Sequence, residues 1–486
     1  METGEDLKGC RIKERLELEY IFDPRSVAVV GASNNRANMG YGYIRWLLKL
    51  DFKGNIYPIN PNIDEALGLR AYPTLRDAPP PVDYVISNIP ARLVPKLAED
   101  CVACGAKVLQ LFTAGFSETG EEEGVRLERE LADIARRGNL RVIGPNCLGV
   151  YCSKTGLVFS GIDFPRESGP VAFISQSGSN AAELARMGCL RGIRFSKVIS
   201  YGNACDLNET DFLDYLGRDP DTEIIAAYIE GVKNGPGFIK ALREATHTKP
   251  VIMLKGGRTE SGTRAVASHT GSLAGASNAW NALCKQFGVI QVNNLVELAD
   301  LLLAFLYLSP PKGRNVGIIG IGGGASVQAA DDCHEVGLFV PALPQETRAE
   351  LKKFTPKAGT STTNPIDSLM MFSPEECYKT IEIAASCPKI DLLILYILLD
   401  WPLRDPKGLE MVEAVADSMI RAGKATEKPM AIVLNTSGAL PAWQGLLQLQ
   451  GKCLKAGFPV FHTMGGAALA ISRFIQYHEN RGTISR

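Results

Sequence analysis

The sequence predicts an α/β protein built from three doubly wound units. Short β-branched runs alternate with helical stretches along the chain, the pattern of parallel sheets covered by helices. One local device, an apolar strand running into small residues and then a helix, occurs three times: VAVVGASN from Val27, VAFISQSGSN from Val171 and VGIIGIGGGAS from Val316. The length of 486 residues is enough for about three domains with well-buried cores.

In the first unit the predicted strands are Ser26–Val30, Asn55–Ile59, Asp83–Ile86, Lys107–Phe112 and Arg141–Ile143, with room for one helix between neighbours. That spacing reads as a Rossmann-like unit. A second series runs through Gly169–Ile174, Lys197–Ile199, Ile224–Ile229, Pro250–Leu254 and Val289–Val292. The third comprises Asn315–Ile319, Gly337–Val340, Leu392–Leu398, Met430–Leu434 and Pro459–Phe461. Turn-rich stretches at Asp163–Pro170 and Ser309–Arg314 each precede a new first strand, giving predicted domains 1–163, 164–310 and 311–486.

Lys and Arg number 52 against 53 Asp and Glu, a net charge of −1, so no basic excess is available for a nucleic acid or an anionic membrane. The apolar runs Leu301–Leu308 and Leu392–Leu399 fall short of the ~20 residues of a membrane-spanning helix and read as buried secondary structure. Charges spread through the first twenty residues leave no place for a signal-peptide core, so a cytoplasmic protein with reduced thiols is expected. Cys101 and Cys104 have C-x-x-C spacing without a second matching pair, and they read as incidental thiols at a helix end; no metal site is expected.

Small residues after a first strand let backbone N–H groups and a helix N-terminus approach an anion. The Gly31–Arg36 turn lacks the later glycines of a G-x-G-x-x-G fingerprint, and the second strand ends in Asn60-Pro61 where a nicotinamide site offers an acidic residue, so an NAD cofactor is disfavoured. A nucleotide-like ligand and a turn that merely packs helix on sheet both remain open. The turns Gln176-Ser177-Gly178-Ser179 and Gly322-Gly323-Gly324-Ala325-Ser326 suit a smaller anion such as one phosphoryl group. No G-x-x-x-x-G-K-[S/T] loop follows any of the three strands, so ATP, if used, is expected on another polypeptide.

Of five histidines, His247 and His478 read as surface residues, His334 lies on a predicted helix and His462 follows a strand end. His269 stands apart in ASHTGSLAG, read as a loop of small residues that leaves its imidazole accessible to a phosphate. An imidazole near its ordinary pKa can carry a group covalently, and a carboxylate holding one ring nitrogen frees the other to attack. Glu230, after the apolar strand Ile224–Ile229, is the candidate carboxylate. The same residues also fit a histidine that only caps its loop.

Taken together, FDPRSVAVVGAS (Phe22–Ser33), YPINP (Tyr57–Pro61), IGPNCLGV (Ile143–Val150), ISQSGS (Ile174–Ser179), YIEG (Tyr228–Gly231) and SHTGSLAG (Ser268–Gly275) resemble the α subunit of NDP-forming acyl-CoA synthetases. These are the ADP-forming acetate–CoA ligases, relatives of succinyl-CoA synthetase, and the similarity spans nearly the whole chain. The resemblance implies an N-terminal Rossmann-like CoA-binding domain followed by two flavodoxin-like domains. It implies His269 as a transient phosphoryl carrier, Glu230 as its orienting partner, and phosphate binding at helix starts near Ser177, Gly178 and Ser179 and near Gly323, Gly324 and Ala325. Coenzyme A contacts are implied for Gly31, Ala32, Ser33, Asn60, Pro61, Ile89, Pro90 and Asn146.

No segment of the chain is assignable to an ATP-grasp module, so the resemblance further implies a separate ATP-grasp β subunit holding ATP or ADP with Mg2+, in an (αβ)2 assembly. The implied reaction is acyl-CoA + phosphate + ADP ⇌ carboxylic acid + CoA + ATP through an acyl phosphate. The alternative is a non-catalytic CoA-binding regulatory protein of the same fold. Retention of His269, Glu230 and both glycine-rich turns favours the enzyme.

Overall fold

The computed structural model describes residues 18–159, 164–270, 277–320, 322–356, 360–368, 373–404 and 407–482. Two compact units emerge, one of Met1–Leu190 with Arg194–Leu295 and one of Arg191–Ile193 with Val296–Arg486.

Among the described residues the first unit holds two large sheets and one small one. Strands β1 (Ser26–Val30), β2 (Asn55–Ile59), β5 (Tyr84–Ser87), β6 (Val108–Leu111) and β7 (Arg141–Ile143) form a parallel sheet in the order β2-β1-β5-β6-β7. A two-stranded hairpin of β3 (Glu65–Ala66) and β4 (Leu69–Arg70), not foreseen from the sequence, lies between β2 and β5 in the chain. The second sheet combines β8 (Gly149–Cys152), β9 (Val171–Ser175), β10 (Phe195–Ser200), β11 (Ile224–Ile229), β12 (Val251–Lys255) and β13 (Ile290–Val292) in the order β13-β12-β11-β9-β10-β8. Its edge strand β8 runs antiparallel to β10. This strand was missed in the sequence because Gly149–Cys152 is too short to show a period, and it joins the second sheet upstream of the predicted boundary at 163.

The second unit carries β14 (Val316–Gly320), β15 (Ile366–Asp367), β16 (Leu392–Leu398), β17 (Met430–Asn435) and β18 (Val460–Phe461), all parallel, in the order β15-β14-β16-β17-β18. The expected strand Gly337–Val340 does not form. Gly337 turns at φ +77 and Pro341 follows, leaving only an isolated bridge from Asn315 to Phe339, while Ile366–Asp367 takes the edge of β14. The run Leu301–Leu308 is helical through Tyr307, within Leu295–Tyr307.

Counting only the five parallel strands of each sheet in chain order, all three sheets have the order 2-1-3-4-5. The first and third strands are therefore neighbours whose connections leave in opposite directions, and ligands of such sheets bind in the crevice at their carboxyl ends. The inner strands β1, β9, β12 and β14 are buried at every position, which is why they read as continuous apolar runs rather than alternating ones.

Helices cover the sheets through apolar stripes and are punctuated by caps. Met39–Lys49 buries Tyr43, Ile44 and Leu47, and the Asn38 side chain accepts from the Gly40 N–H at its start. Glu209–Arg218 opens with a capping box of Asn208 and Asp211. Val94–Cys104 ends on left-handed Gly105, with Cys101 and Cys104 as free thiols in its last turn. His478, expected at the surface, is half-buried near the end of Met464–Asn480, packed on Phe474 with ring centroids 4.6 Å apart. That helix continues regular structure to Asn480.

An ion pair is buried inside the first unit. Lys197 Nζ is 2.6 Å from Asp219 Oδ2, both side chains are at most 3% exposed, and the ammonium lies 5.4 Å from the centre of the Phe22 ring. Burial pushes the Asp219 carboxyl up, but the charge and hydrogen bond of Lys197 and the Thr222 hydroxyl outweigh it and hold the group below the usual carboxylate range. Lys197→Met should therefore cost about 3–5 kcal/mol in urea denaturation at neutral pH, because Asp219 is left buried and unpaired. A depressed folded-state pKa contributes stability above the unfolded value that is lost as pH falls, so the gap between wild type and variant should narrow in acid.

Candidate functional site

The carboxyl ends of β9 and β11, first and third strands of the second sheet, assemble a compact polar knot. Gln176, directly after β9, is buried, and its side-chain carbonyl accepts from the backbone N–H groups of Glu230 (2.9 Å) and Gly231 (3.1 Å). Its own N–H donates to Tyr228 O at 3.1 Å. Glu230 is 3% exposed, and its Oε1 accepts from the Tyr228 hydroxyl at 3.0 Å. Lys255, the last residue of β12, donates to Glu230 O at 2.7 Å and stands 5.5 Å from the Trp280 ring centre. Burial pushes this ammonium down, with the Glu230 charge acting against the shift. Gly256 passes close to this pair: a Cβ there would come within 2.6 Å of the Tyr228 hydroxyl and 3.0 Å of Glu230 Cγ.

The helix Gly178–Leu190 starts beside this knot. The Ser177 hydroxyl lies 2.9 Å from that of Ser179 and accepts from Asn180 N, while Ser175 Oγ donates to Ser177 O at 2.7 Å. These bonds hold Ser177, Gly178 and Ser179 at one wall of a cavity of about 620 Å3, whose other wall is built by Asn88, Ile89, Thr113 and Asn146 from the turns of the first sheet. Asn146 has φ +57, and its N–H donates to Thr113 O at 3.0 Å. The cavity thus joins the carboxyl ends of two sheets within one unit. Among its lining residues only Cys147 is ionisable, and burial pushes that thiol up to about 12.

A second cavity of about 320 Å3 lies over the first sheet, between the ends of β1, β2 and β5, and is lined by Gly31, Asn60, Pro61 and Ile89. Gly31 sits at φ +88, where a Cβ would fall 2.6 Å from Asn88 O. The N–H groups of Gly31 and Ala32 both donate to Ile59 O, at 3.0 and 3.3 Å, so these two donors are engaged in holding β1 on β2. Donors that a phosphate can take from this turn begin at Ser33, and the following helix starts only at Met39. Asn60 fixes the turn from the side, donating from Nδ2 to Ala32 O at 2.7 Å. Ala32, Ser33 and Pro90 line neither cavity.

His269 falls in the last turn of the helix Glu260–Thr270 rather than in a loop. Its side chain and residues 271–276 lie outside the described residues. The helix is rooted at Gly256-Gly257-Arg258, directly beyond Lys255, with Arg258 Nη2 donating to Asn293 O at 3.0 Å and the Thr259 hydroxyl accepting from Gly262 N.

In the second unit, Gly323, Gly324 and Ala325 open the helix Gly323–Glu335, with Gly322 before it at φ +103. Ile321 lies outside the described residues. Sequence reading found no partner for this turn, but the Gly322 N–H donates to Asp367 Oδ1 at 2.9 Å. A carboxylate therefore already complements the positive end of this helix, and an anion arriving there meets its charge. Asp367 was invisible in the sequence because β15, which carries it, is two residues long.

One cavity over a doubly wound sheet and a second that reaches a hydroxyl- and amide-lined helix start on another sheet, with Ile89 lining both, define an α/β protein with ligand-sized cavities at its switch points. Domain families agree: the CoA binding domain matches residues 25–153, and the succinyl-CoA ligase-like flavodoxin domain matches residues 168–305. The α subunit of ADP-forming acetate–CoA ligase II from Pyrococcus furiosus is 36% identical over 467 residues, covering 96% of this chain and 99% of that one. The α subunit of isozyme I from the same organism is 35% identical over 86% of this chain and 90% of its own length. A solved structure described as dinucleotide-forming acetyl-coenzyme A synthetase 1 of Candidatus Korarchaeum cryptofilum, in complex with phosphate and ADP, has 33% identity and a TM-score of 0.80, covering 96% of this chain and 98% of its own. The chain belongs to the family of α subunits of ADP-forming acetate–CoA ligases. It spans about half the length of longer relatives, 54% of a ligase from Archaeoglobus fulgidus and 50% of one from Methanocaldococcus jannaschii.

Removing the carboxylate from the second unit's turn should open it to anions. Asp367→Asn is expected to tighten inorganic phosphate binding by at least about twofold, measured by calorimetry near neutral pH. Equal phosphate affinity in wild type and variant would show that the turn takes no anion.

Proposed function

We propose that this chain handles coenzyme A and the phosphoryl group in the reaction acyl-CoA + phosphate + ADP ⇌ carboxylic acid + CoA + ATP. A separate ATP-grasp β subunit would hold the nucleotide with Mg2+ in an (αβ)2 complex, in the cytoplasm where coenzyme A and ATP are found. The observation that carries this reading is the cavity of about 620 Å3 in which the turns at Asn88-Ile89 and Asn146 face the Ser177–Ser179 helix start, with Glu230 tied behind it by Gln176. Three five-stranded parallel sheets of one topology support three domains, taken as 1–163, 164–310 and 311–486, with β8 passing from the first into the second sheet.

In this reading a phosphate oxygen attacks the thioester carbonyl, the C–S bond breaks, and the thiol and an acyl phosphate result. The neutral lining suits that step, because hydroxyl and amide dipoles fixed by the fold stabilise the developing oxyanion without pairing the phosphate to an immobile cation. An imidazole nitrogen of His269 then attacks phosphorus and the carboxylate leaves. Glu230 holds the other ring nitrogen, which fixes the tautomer and stabilises the cationic phosphohistidine, and the phosphoryl group passes to ADP on the partner. Coenzyme A contacts are assigned to Gly31, Ala32, Ser33, Asn60, Pro61, Ile89, Pro90 and Asn146, and phosphate contacts to Ser177, Gly178 and Ser179 and to Gly323, Gly324 and Ala325. That both Pyrococcus furiosus relatives are α subunits supports the two-subunit arrangement.

Two outcomes test this. Calorimetry should detect coenzyme A binding to the chain alone, with no displacement by NAD at equal concentration. With ATP and the β subunit, the chain should gain an acid-labile, base-stable phosphoryl group that His269→Asn abolishes and Glu230→Gln slows. Labelling that survives in His269→Asn would refute the phosphohistidine.

A further inference from the structure

Behind the cavity, a buried amide bridges two carboxylates. Asn203, 4% exposed, follows the cavity-lining Gly202. Its Nδ2 lies 2.6 Å from Glu118 Oε2 and 2.9 Å from Glu128 Oε2, one hydrogen for each. The orientation is fixed by charge, since turning the amide over would aim its oxygen at both carboxylates. The Asn203 Oδ1 is buried without a hydrogen-bond partner. A fold tolerates that cost when the two donors matter more.

Each carboxylate in turn shapes the loop after β6. Glu118 Oε1 accepts from Gly115 N at 2.6 Å and from Phe116 N at 3.2 Å, and Glu128 Oε2 accepts from the Ser117 hydroxyl at 2.6 Å. Thr113 and Ala114 of this loop line the cavity. On its other side Asn203 is tied by backbone: its N–H donates to Pro145 O at 3.0 Å, and its carbonyl accepts from Lys233 Nζ at 2.7 Å. Lys233 lies three residues beyond Glu230. A chain of hydrogen bonds thus runs from Gly115 and Phe116 through Glu118 and Asn203 to Lys233, on the segment that follows Glu230.

We propose that Asn203 is a positioning residue for the ligase reaction: its amide sets the spacing between the Thr113–Phe116 wall and the Glu230 strand end, and thereby coenzyme A affinity. The proposal rests on the coenzyme A reading of this cavity. Other ionisable groups near Asn203 include Tyr201, Lys233, Glu209, Cys205 and Asp206, and burial keeps the Tyr201 hydroxyl protonated. Lys233 is committed to the carbonyls of Asn203 and Ala204, Asp206 is paired with Arg141 at 2.9 Å, and burial keeps the Cys205 thiol and the Glu209 carboxyl shifted toward their protonated forms. Glu118 and Glu128 are the groups that meet the amide directly.

The decisive variant is Asn203→Asp, which replaces a double donor with a third carboxylate. At about pH 8 its Kd for coenzyme A, measured by calorimetry on the full chain, should rise roughly tenfold through like-charge repulsion. At about pH 6 a proton shared among the three carboxylates restores a donor, and the affinity should return to within about threefold of wild type. The wild-type ratio between the two pH values supplies the baseline. Glu118→Gln combined with Asn203→Asp should recover binding at the higher pH, since the new amide donates to Asp; melting temperatures confirm that each variant is folded. An Asn203→Asp chain that binds coenzyme A as wild type does at the higher pH overturns the proposal. So does a loss that neither acid nor Glu118→Gln relieves, which marks a merely structural residue. If wild type itself gives no coenzyme A heat, the coenzyme A reading falls as well, whereas wild-type binding with an unaffected variant removes Asn203 alone.

Discussion

The first unit depends on a backbone crossing in which the chain leaves one sheet and is gripped by the other. From β7 the segment Gly144–Leu148 leads directly into β8, the antiparallel edge of the second sheet. The loop after β10 bonds back along it: Asn203 N–H to Pro145 O, Cys205 N–H to Gly144 O and Leu207 N–H to Val142 O, at 3.0, 3.0 and 3.1 Å. Only glycine fits at 202, where φ is +56 and a Cβ would lie 2.2 Å from Pro145 O. Gln110, 1% exposed, secures the far end by donating to Leu148 O at 3.1 Å while accepting from the Tyr84 hydroxyl at 2.6 Å. This crossing brings the carboxyl ends of two separate sheets to one cavity, so the chemistry at Asn146 and at Ser177–Ser179 shares a space that neither sheet makes alone.

Three turns with the same strand-to-helix plan have acquired different electrostatics. After β1, two N–H groups are spent on Ile59 O, leaving a turn that offers shape and a few later donors. After β9, the Ser177 and Ser179 side chains and the start of a helix line the cavity, and Gln176 holds the backbone of Glu230. After β14, Asp367 occupies the helix end. Topology places a possible anion seat at each switch point, and the neighbouring side chains decide whether it stays open.

The cavity lining separates charge from contact. Hydroxyls, amides and apolar groups meet the ligand space, while Glu230, Lys255 and the Glu118–Asn203–Glu128 bridge are absent from its lining, each held by named hydrogen bonds. Such an arrangement keeps fixed dipoles aimed inward without trapping a phosphate against a permanent cation, which suits a group that must be received and passed on.

The sequence by itself determined the α/β class, the three strand-to-helix devices and most strand positions, because buried parallel strands write themselves as continuous apolar runs and Gly31, Ser177 and Gly322 mark the turns that follow. It also singled out Glu230 by its place after β11, and the motifs from FDPRSVAVVGAS to SHTGSLAG carried the family resemblance. What only the tertiary structure decided concerns elements and contacts too short or too distant to leave a period. Strands β8 and β15 are four and two residues long. The bridge from Asn203 to Glu118 and Glu128 spans 85 and 75 residues, and Asp367 reaches its turn from 45 residues away. Hydrophobic periodicity reports burial along one element, whereas a hydrogen bond between side chain and remote backbone is fixed by how separate elements cross, and no local pattern encodes that crossing.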